Sequence, residues 1–392
     1  MTKVYLRTLA LGALALGIAA PASAQRATSG SYNGLTWTAQ NRIVGQTSTA
    51  TLASGGNPIY TAPMPQRSGV AALILVYGAA GAFICSGSLL PDRKSVLRAG
   101  HCVSRGTDFG GTSGLKSVTA YFYGGSNPGG AGNVYDPDTV VWQSALSTAI
   151  ASNGVNVNPL YTGQVIDQND IAIVKLSEAA PDWAQAYAID FTTPLEGTNF
   201  TVAGYGGRSD VGGAVGRNLG TGRLREGDNR YDFRLGDSDF GGLFTDPEFF
   251  GSAAKDFSYV SDFDNGVLAN DASCLVAVLG FGIAPSAKYC DLGRGAREVS
   301  VAGGDSGGPQ FGADGRLLSV TSYGLSFGST FGDVDGALNS SWGEFNGFVP
   351  LFLHQAFIAG AVPEPETWAM MLMGFGFVGA GVRARARKVT FA

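Results

Sequence analysis

The stretch Gly303-Gly304-Asp305-Ser306-Gly307-Gly308-Pro309 sets four glycines and a proline around one acid and one hydroxyl. Glycine lets the backbone bend sharply enough to aim several N–H groups at one point. Alone, the stretch reads as a tight turn. Two other segments change that reading: Leu97-Arg98-Ala99-Gly100-His101-Cys102, and Asn169-Asp170-Ile171-Ala172-Ile173-Val174-Lys175-Leu176. His101 by itself could be a satisfied core histidine, and Asp170 a turn acid before a buried strand. Together the three segments supply a base, an orienting carboxylate and a nucleophile, in the chain order His101, Asp170, Ser306.

A serine hydroxyl is a poor nucleophile near neutral pH and needs a base to take its proton. Imidazole suits that task because its proton affinity lies near the working pH. A buried carboxylate fixes the imidazole tautomer and stabilises the imidazolium as it forms. The amides of Gly304 and Ser306 are the expected donors to a developing oxyanion. Losing one such donor typically costs about 10²–10³ in turnover.

These segments resemble the trypsin-like (chymotrypsin-fold) serine proteases. Ala99-Gly100-His101-Cys102 matches the general-base motif, with Gly100 where Ala is usual. Asp170-Ile171-Ala172 matches the orienting acid, and Gly304-Asp305-Ser306-Gly307-Gly308-Pro309 matches the nucleophile motif in full. Phe83 to Leu90, with Cys85, resembles the strand before the base. Val202-Ala203-Gly204-Tyr205-Gly206 resembles a structural strand end with Tyr for the usual Trp. Ser322-Tyr323-Gly324 resembles the segment that pairs with substrate backbone, again with Tyr for Trp. The likeness runs from about Gly69 to Ala359. It implies two six-stranded antiparallel β-barrels with a C-terminal helix, and serine endopeptidase activity on protein or peptide substrates.

The resemblance also carries finer expectations. Four cysteines allow three pairings; the family pattern selects Cys85–Cys102 and Cys274–Cys290. The usual bridge beside the nucleophile loop is missing, with Ala302 where its Cys would stand. Asn41-Arg42-Ile43-Val44-Gly45-Gln46 resembles the zymogen cleavage site. A cut after Arg42 would free the Ile43 ammonium to pair with Asp305 and order the oxyanion loop. Two features depart from the pattern: Ile43 lies far upstream of His101, and Gln46 replaces the second Gly. An ordinary exposed Arg before a strand stays open as the other reading. Counting back from Ser306, Ser300 takes the floor of the specificity pocket, where trypsin itself carries an Asp. An uncharged floor predicts apolar or aromatic side chains before the cleaved bond. Glu298, two positions earlier, would reverse this if the register slipped.

Outside the motifs the chain reads as β. Short apolar runs at Val70–Tyr77, Ala82–Leu90, Val96–Ala99, Ser117–Tyr123, Asp170–Leu176, Asn199–Gly204, Ser273–Gly282 and Leu317–Ser322 are split by Gly, Asn and Asp turns. Phe348 to Ala359 is the one body helix expected, with Pro350 in its first turn. The 392 residues include 59 glycines, which argues against helix bundles. The net charge of −5 argues against a nucleic-acid binder. Two histidines and four cysteines do not suit a multi-His metal centre.

Both ends read as addresses. Residues 1–24 join Lys3 and Arg7, an apolar stretch and Pro21-Ala22-Ser23-Ala24, a secretory signal pattern. Residues 25–42 read as a propeptide, and residues 43–361 as the protease domain. At the far end Val362-Pro363-Glu364-Pro365-Glu366 precedes an apolar run and the cluster Arg383, Arg385, Arg387 and Lys388. This segment, 362–388, resembles the PEP-CTERM sorting signal of Gram-negative bacteria. It implies an exosortase-type sorting enzyme as partner, transient inner-membrane anchoring, cleavage near Pro363, and release or attachment outside. The two ends hold six of 26 basic and two of 31 acidic residues, which leaves the body at −9.

Two segments interrupt the pattern, 124–163 and 206–270. The second is acidic, with Asp228, Asp232, Asp237, Asp239, Asp246, Asp262 and Asp264. Several carboxylates invite Ca²⁺, yet no full EF-hand spacing is present. A solvated acidic loop is the plainer reading. No other cofactor is expected. A different class of function also stays open: a non-enzymatic surface or matrix-binding protein on a protease scaffold, because fold alone never proves function.

Overall fold

The computed structural model describes residues 22–23, 27–32, 35–40, 43–78, 81–104, 112 and 114–362. The expected signal peptide (22–23 apart), Arg42, and the C-terminal apolar run with its basic cluster lie outside the described residues.

The first ten strands are β1 (Ala22–Ser23), β2 (Ala27–Tyr32), β3 (Leu35–Gln40), β4 (Val44–Gly45), β5 (Val70–Val76), β6 (Ala82–Leu89), β7 (Ser95–Arg98), β8 (Ser117–Phe122), β9 (Thr148–Val157) and β10 (Ala172–Leu176). Antiparallel ladders run in the order β6-β5-β8-β9-β10-β7, and β6 pairs again with β7. That last ladder closes a six-stranded barrel. Period-two alternation supplies its filling: Val118, Ala120 and Phe122 of β8 point inward with Leu73, Leu75 and Val174, all essentially buried. The closing ladder pairs β6 with β7 at Ser88 and Leu89, and nearer its start β6 takes β1 in parallel at Phe83 and Ile84.

The second half contains β11 (Asn199–Gly204), β12 (Arg225–Arg230), β13 (Phe233–Arg234), β14 (Tyr259–Asp262), β15 (Val299–Ser300), β16 (Pro309–Phe311), β17 (Leu317–Ser326) and β18 (Phe345–Pro350). Their order is β12-β11-β16-β17-β18-β14-β13, with β3 added to β17 and β2 outside β3. No ladder joins the edge strands β12 and β13, so this sheet is a half-barrel rather than a second closed ring. The protein is thus mostly β, with one closed six-stranded barrel, one half-barrel and a short C-terminal helix.

Three local expectations change. The run Ser273–Gly282 is helical: Ala272–Leu275 forms an α-turn and Val276–Gly280 a π-turn. The Asp271 carboxylate caps it by accepting from Cys274 N at 2.8 Å. The C-terminal helix starts later than expected, at Gln355–Ala361. Phe348 belongs to β18, where it faces both Thr321 and Tyr259 across two ladders. The segment 124–163 contributes β9 to the barrel.

The segment 206–270 contributes β12, β13 and β14, and between them it adds an aromatic layer. Phe240, Phe244, Phe249 and Phe250 are buried with Trp37, Phe233, Phe327 and Phe345. The Trp37 and Phe250 rings meet edge to face with centroids 4.9 Å apart. This layer fastens β3 to the half-barrel.

Candidate active site

His101 follows β7, and Asp170 stands two residues before β10. These neighbours pair in register, Arg98 opposite Ala172. The pairing brings the two turns together. His101 N donates to Asp170 Oδ1 at 2.6 Å, and His101 Nδ1 meets Asp170 Oδ2 at 2.7 Å. Ser322 Oγ donates to the same Oδ2 at 2.5 Å. Asp170 is fully buried. Burial alone would push its carboxyl up; the charge of His101 and the hydrogen bonds from His101 and Ser322 outweigh it and hold the carboxyl below its ordinary range. Gly100 fits this turn closely, since a Cβ there would lie 3.2 Å from Asp170 Oδ1.

The nucleophile turn comes from the other half of the molecule. It enters β16 at Pro309 and is pinned to β6: Ser86 N donates to Ser306 O at 2.9 Å, and Ser86 Oγ donates to Gly304 O at 2.9 Å. Gly304 and Gly307 sit at φ of 106° and 78°, where a side chain would be strained. The Cys85–Cys102 disulfide lies beside both His101 and the Ser306 turn. Its Cys102 Sγ is 3.6 Å from His101 Nε2 and 3.7 Å from Ser306 O. Ser306 and His101 are therefore neighbours, although no hydrogen bond links the Ser306 hydroxyl to Nε2 in this structure. Among the described residues the amides of Gly304 and Ser306 donate to no protein acceptor.

Asp305 points away from the site into a closed cage. Its Oδ1 accepts from Gly206 N at 2.7 Å, and its Oδ2 accepts from Ala302 N at 2.9 Å and from the main-chain nitrogen of Ile43. A Cβ on Gly204 or Gly206 would lie 2.2 or 2.4 Å from its carboxylate oxygens, so glycines form the wall. Burial pushes the Asp305 carboxyl up to about 7, against the pull of its hydrogen bonds from Ala302 and Gly206. Beyond Ile43, β4 pairs with β15, Val44 opposite Ser300.

Ser300 is buried, and its hydroxyl donates to Asn346 Oδ1 at 2.8 Å. Glu298 is turned elsewhere: it accepts from Asp264 N at 2.8 Å and from Arg294 N. Tyr323 is also buried, its hydroxyl 2.7 Å from Ser258 Oγ. Gly324 pairs antiparallel with Asn346 of β18 on one side and with Gln40 of β3 on the other. A groove of about 840 Å³ lies between β2 and Pro247–Ser252 and contains none of these groups.

The second disulfide, Cys274–Cys290, is also formed. Motif reading missed the roles of Asn346, Ser86 and the Ser322 hydroxyl. Asn346 carried a signal, as the one amide in the apolar strand β18. Ser86 and the Ser322 hydroxyl carried none, because their roles depend on partners far away in the chain.

Residues 361–388 match the PEP-CTERM protein-sorting motif. The C-terminus is a sorting signal. The motif implies recognition by an exosortase-type sorting enzyme and suggests export with surface sorting in a Gram-negative bacterium. No curated protein matches the chain. Among the described residues no helix is long and apolar enough to cross a membrane.

Proposed function

We propose that this chain is an exported serine endopeptidase acting through Ser306, His101 and Asp170. The observation that carries the reading is the fully buried Asp170 carboxylate, bonded to His101 Nδ1, to His101 N and to the Ser322 hydroxyl beside the Ser306 turn. The carboxylate keeps Nδ1 protonated and leaves Nε2 as the base. Nε2 takes the Ser306 proton as Oγ attacks the substrate carbonyl. The unpartnered amides of Gly304 and Ser306 stabilise the oxyanion. His101 then gives the proton to the leaving amine, and water repeats the sequence to free the acyl group. A hydrogen bond between Ser306 Oγ and Nε2 is one that apo sites often form only with substrate in place.

The second sheet is read as the counterpart of the second protease barrel, with 225–234 pairing first to β11 and then to β14. Residues 1–24 are read as a cleaved signal peptide and 25–42 as a propeptide cut after Arg42. The Ile43–Asp305 bond supports that cut. The uncharged Ser300–Asn346 floor supports apolar or aromatic specificity, so a separate enzyme would cut after Arg42. After export the sorting segment would anchor the chain in the inner membrane until cleavage near Pro363.

The test is a fluorophosphonate probe applied to the secreted protein beside Ser306→Ala. Labelling that disappears in the variant supports the endopeptidase. No labelling, even after cleavage behind Arg42, points to the non-enzymatic binding scaffold. The strand β3 already seated beside Gly324 is the observation that would then favour it.

A further inference from the structure

The seven acids noted in the 206–270 region part company in the fold. Asp228 pairs with Arg297, Asp237 and Asp239 pair with Lys288, and Asp246 caps the turn Pro247–Phe250. Asp232, Asp262 and Asp264 do not follow them. They meet Asp271 and Glu298 in the interior, and none of the five is more than 5 % exposed. Carboxylate oxygens of Asp262, Asp264 and Glu298 lie within 4.8 Å of one another. Oxygens that share one ion at about 2.4 Å each stand that far apart at most.

Buried carboxylates are tolerated when a cation or protons compensate them. Among the described residues no Lys, Arg or His forms a salt bridge with any of these five, and only Asp232 feels a nearby cation, Arg230, whose own salt bridge is to Asp291. Backbone amides aim some of their oxygens: Ser273 N donates to Asp262 at 2.9 Å, and Asp264 N to Glu298 at 2.8 Å. Asp271 is fully buried, and a side-chain hydrogen bond joins its carboxyl to that of Asp262. Asp264 Oδ2 and the Ser273 hydroxyl are buried and have no partner among the described residues. Gly293 closes the site, since a Cβ there would lie 1.7 Å from Glu298 Oε2 and 2.9 Å from Asp264 Oδ1.

We propose that Asp262, Asp264 and Glu298, with Asp271, Asp232 and the Ser273 hydroxyl around them, hold one Ca²⁺ ion. The donors are all oxygens, most of them carboxylate, and they come from separate segments of chain. That set suits Ca²⁺, which accepts an all-protein cage, over Mg²⁺, which keeps several waters, and over Zn²⁺, which prefers nitrogen and sulfur. The ion ties the ends of β14 and β12 to the segment that leads into β15. Because β15 pairs with β4, and the Gln46 side chain donates to Asp264 O, the ion also fastens the chain just after Ile43.

The test uses the secreted, disulfide-bonded protein, treated with EDTA and dialysed. Calorimetric titration with CaCl₂ should give one site per chain. Thermal unfolding should rise by roughly 5 °C or more in saturating Ca²⁺ and far less in Mg²⁺. Asp264→Asn with Glu298→Gln should abolish both effects, while Asp314→Asn, an exposed acid elsewhere, keeps them. Should the double variant not fold, Asp271→Asn replaces it, with a weakened Ca²⁺ response expected. An unfolding temperature unmoved by Ca²⁺ in the natural protein overturns the proposal. So does a Ca²⁺ response that survives in the folded cluster variants.

Discussion

The main-chain nitrogen of Ile43 donates to Asp305 Oδ2, although 262 residues separate the two. In an uncut chain that donor is a neutral amide, and the Asp305 carboxyl sits at about 7 because burial disfavours its charge. A carboxyl raised on folding contributes stability in full below about pH 4 and loses it as pH rises through 7. Cleavage after Arg42 turns the amide into an ammonium, which pulls the carboxyl back down. The Arg42→Gln protein should therefore stay uncut and inactive, and should lose thermal stability from pH 4 to 8 more steeply than the cut protein. Matching slopes in the two forms, or full activity in Arg42→Gln, would reject the activation scheme.

Strand β3 occupies the edge of β17 from Gly324 to Ser326, in antiparallel register. The family resemblance assigns that edge, at Gly324, to substrate backbone, so residues 35–40, read as part of a propeptide, would compete for it. A synthetic peptide of residues 27–42 should inhibit the mature protein competitively. Inhibition that leaves KM unchanged, or none at all, would place the substrate on another edge.

The Ser322 hydroxyl holds one oxygen of Asp170. Removing a hydrogen bond to a buried carboxylate costs about 1.5–3 kcal/mol. Ser322→Ala should lower kcat by roughly tenfold or more with little change in KM. Thr at this position should recover most of the loss. A variant at full kcat would mean that His101 alone keeps Asp170 in place.

Arg98 is fully buried on β7, and among the described residues none of its guanidinium nitrogens has a hydrogen-bond partner. Burial pulls its proton affinity down to about 9, against the raising effect of Tyr77 and Asp170. An unsatisfied buried polar group costs about 1–3 kcal/mol, so Arg98→Met should stabilise the fold by a similar amount. It should also weaken kcat/KM, because Asp170 loses a nearby positive charge. Denaturant unfolding beside kinetics separates the two effects; a destabilised variant would show that the guanidinium is needed for packing.

Peptides with Phe or Leu before the cleaved bond should be hydrolysed faster than those with Arg or Lys, because Ser300 and Asn346 present no charge. Preference for Arg would mean that Glu298, or the carboxylates near it, face the substrate instead.

Much of the site was legible because its motifs are local. His101, Asp305 and Ser306 each lie in a short segment whose glycines and neighbours restrict the backbone, and both cystines followed from resemblance. Five strands of the closed barrel were legible as short apolar runs; β9 was not, because it lies in the Gly- and Asn-rich segment 124–163 and is mostly exposed or half-buried. The run Ser273–Gly282 was not, because an unbroken apolar stretch carries no period and its helical turn depends on the Asp271 cap. Phe348 was read into a helix because pairing on both sides of β18 is a tertiary fact. The acids of 206–270 looked alike in sequence, and only the fold separates Asp228 beside Arg297 from Asp262 among other carboxylates.

The Cys85–Cys102 cystine touches both the ring of His101 and the carbonyl of Ser306. In a reducing cytosol that bridge is two separate thiols, and the wall beside base and nucleophile is unlatched. On the proposed endopeptidase reading, synthesis and potency would fall in different compartments, and the cell that makes this chain would be shielded from it until oxidation outside the cytosol completes the wall.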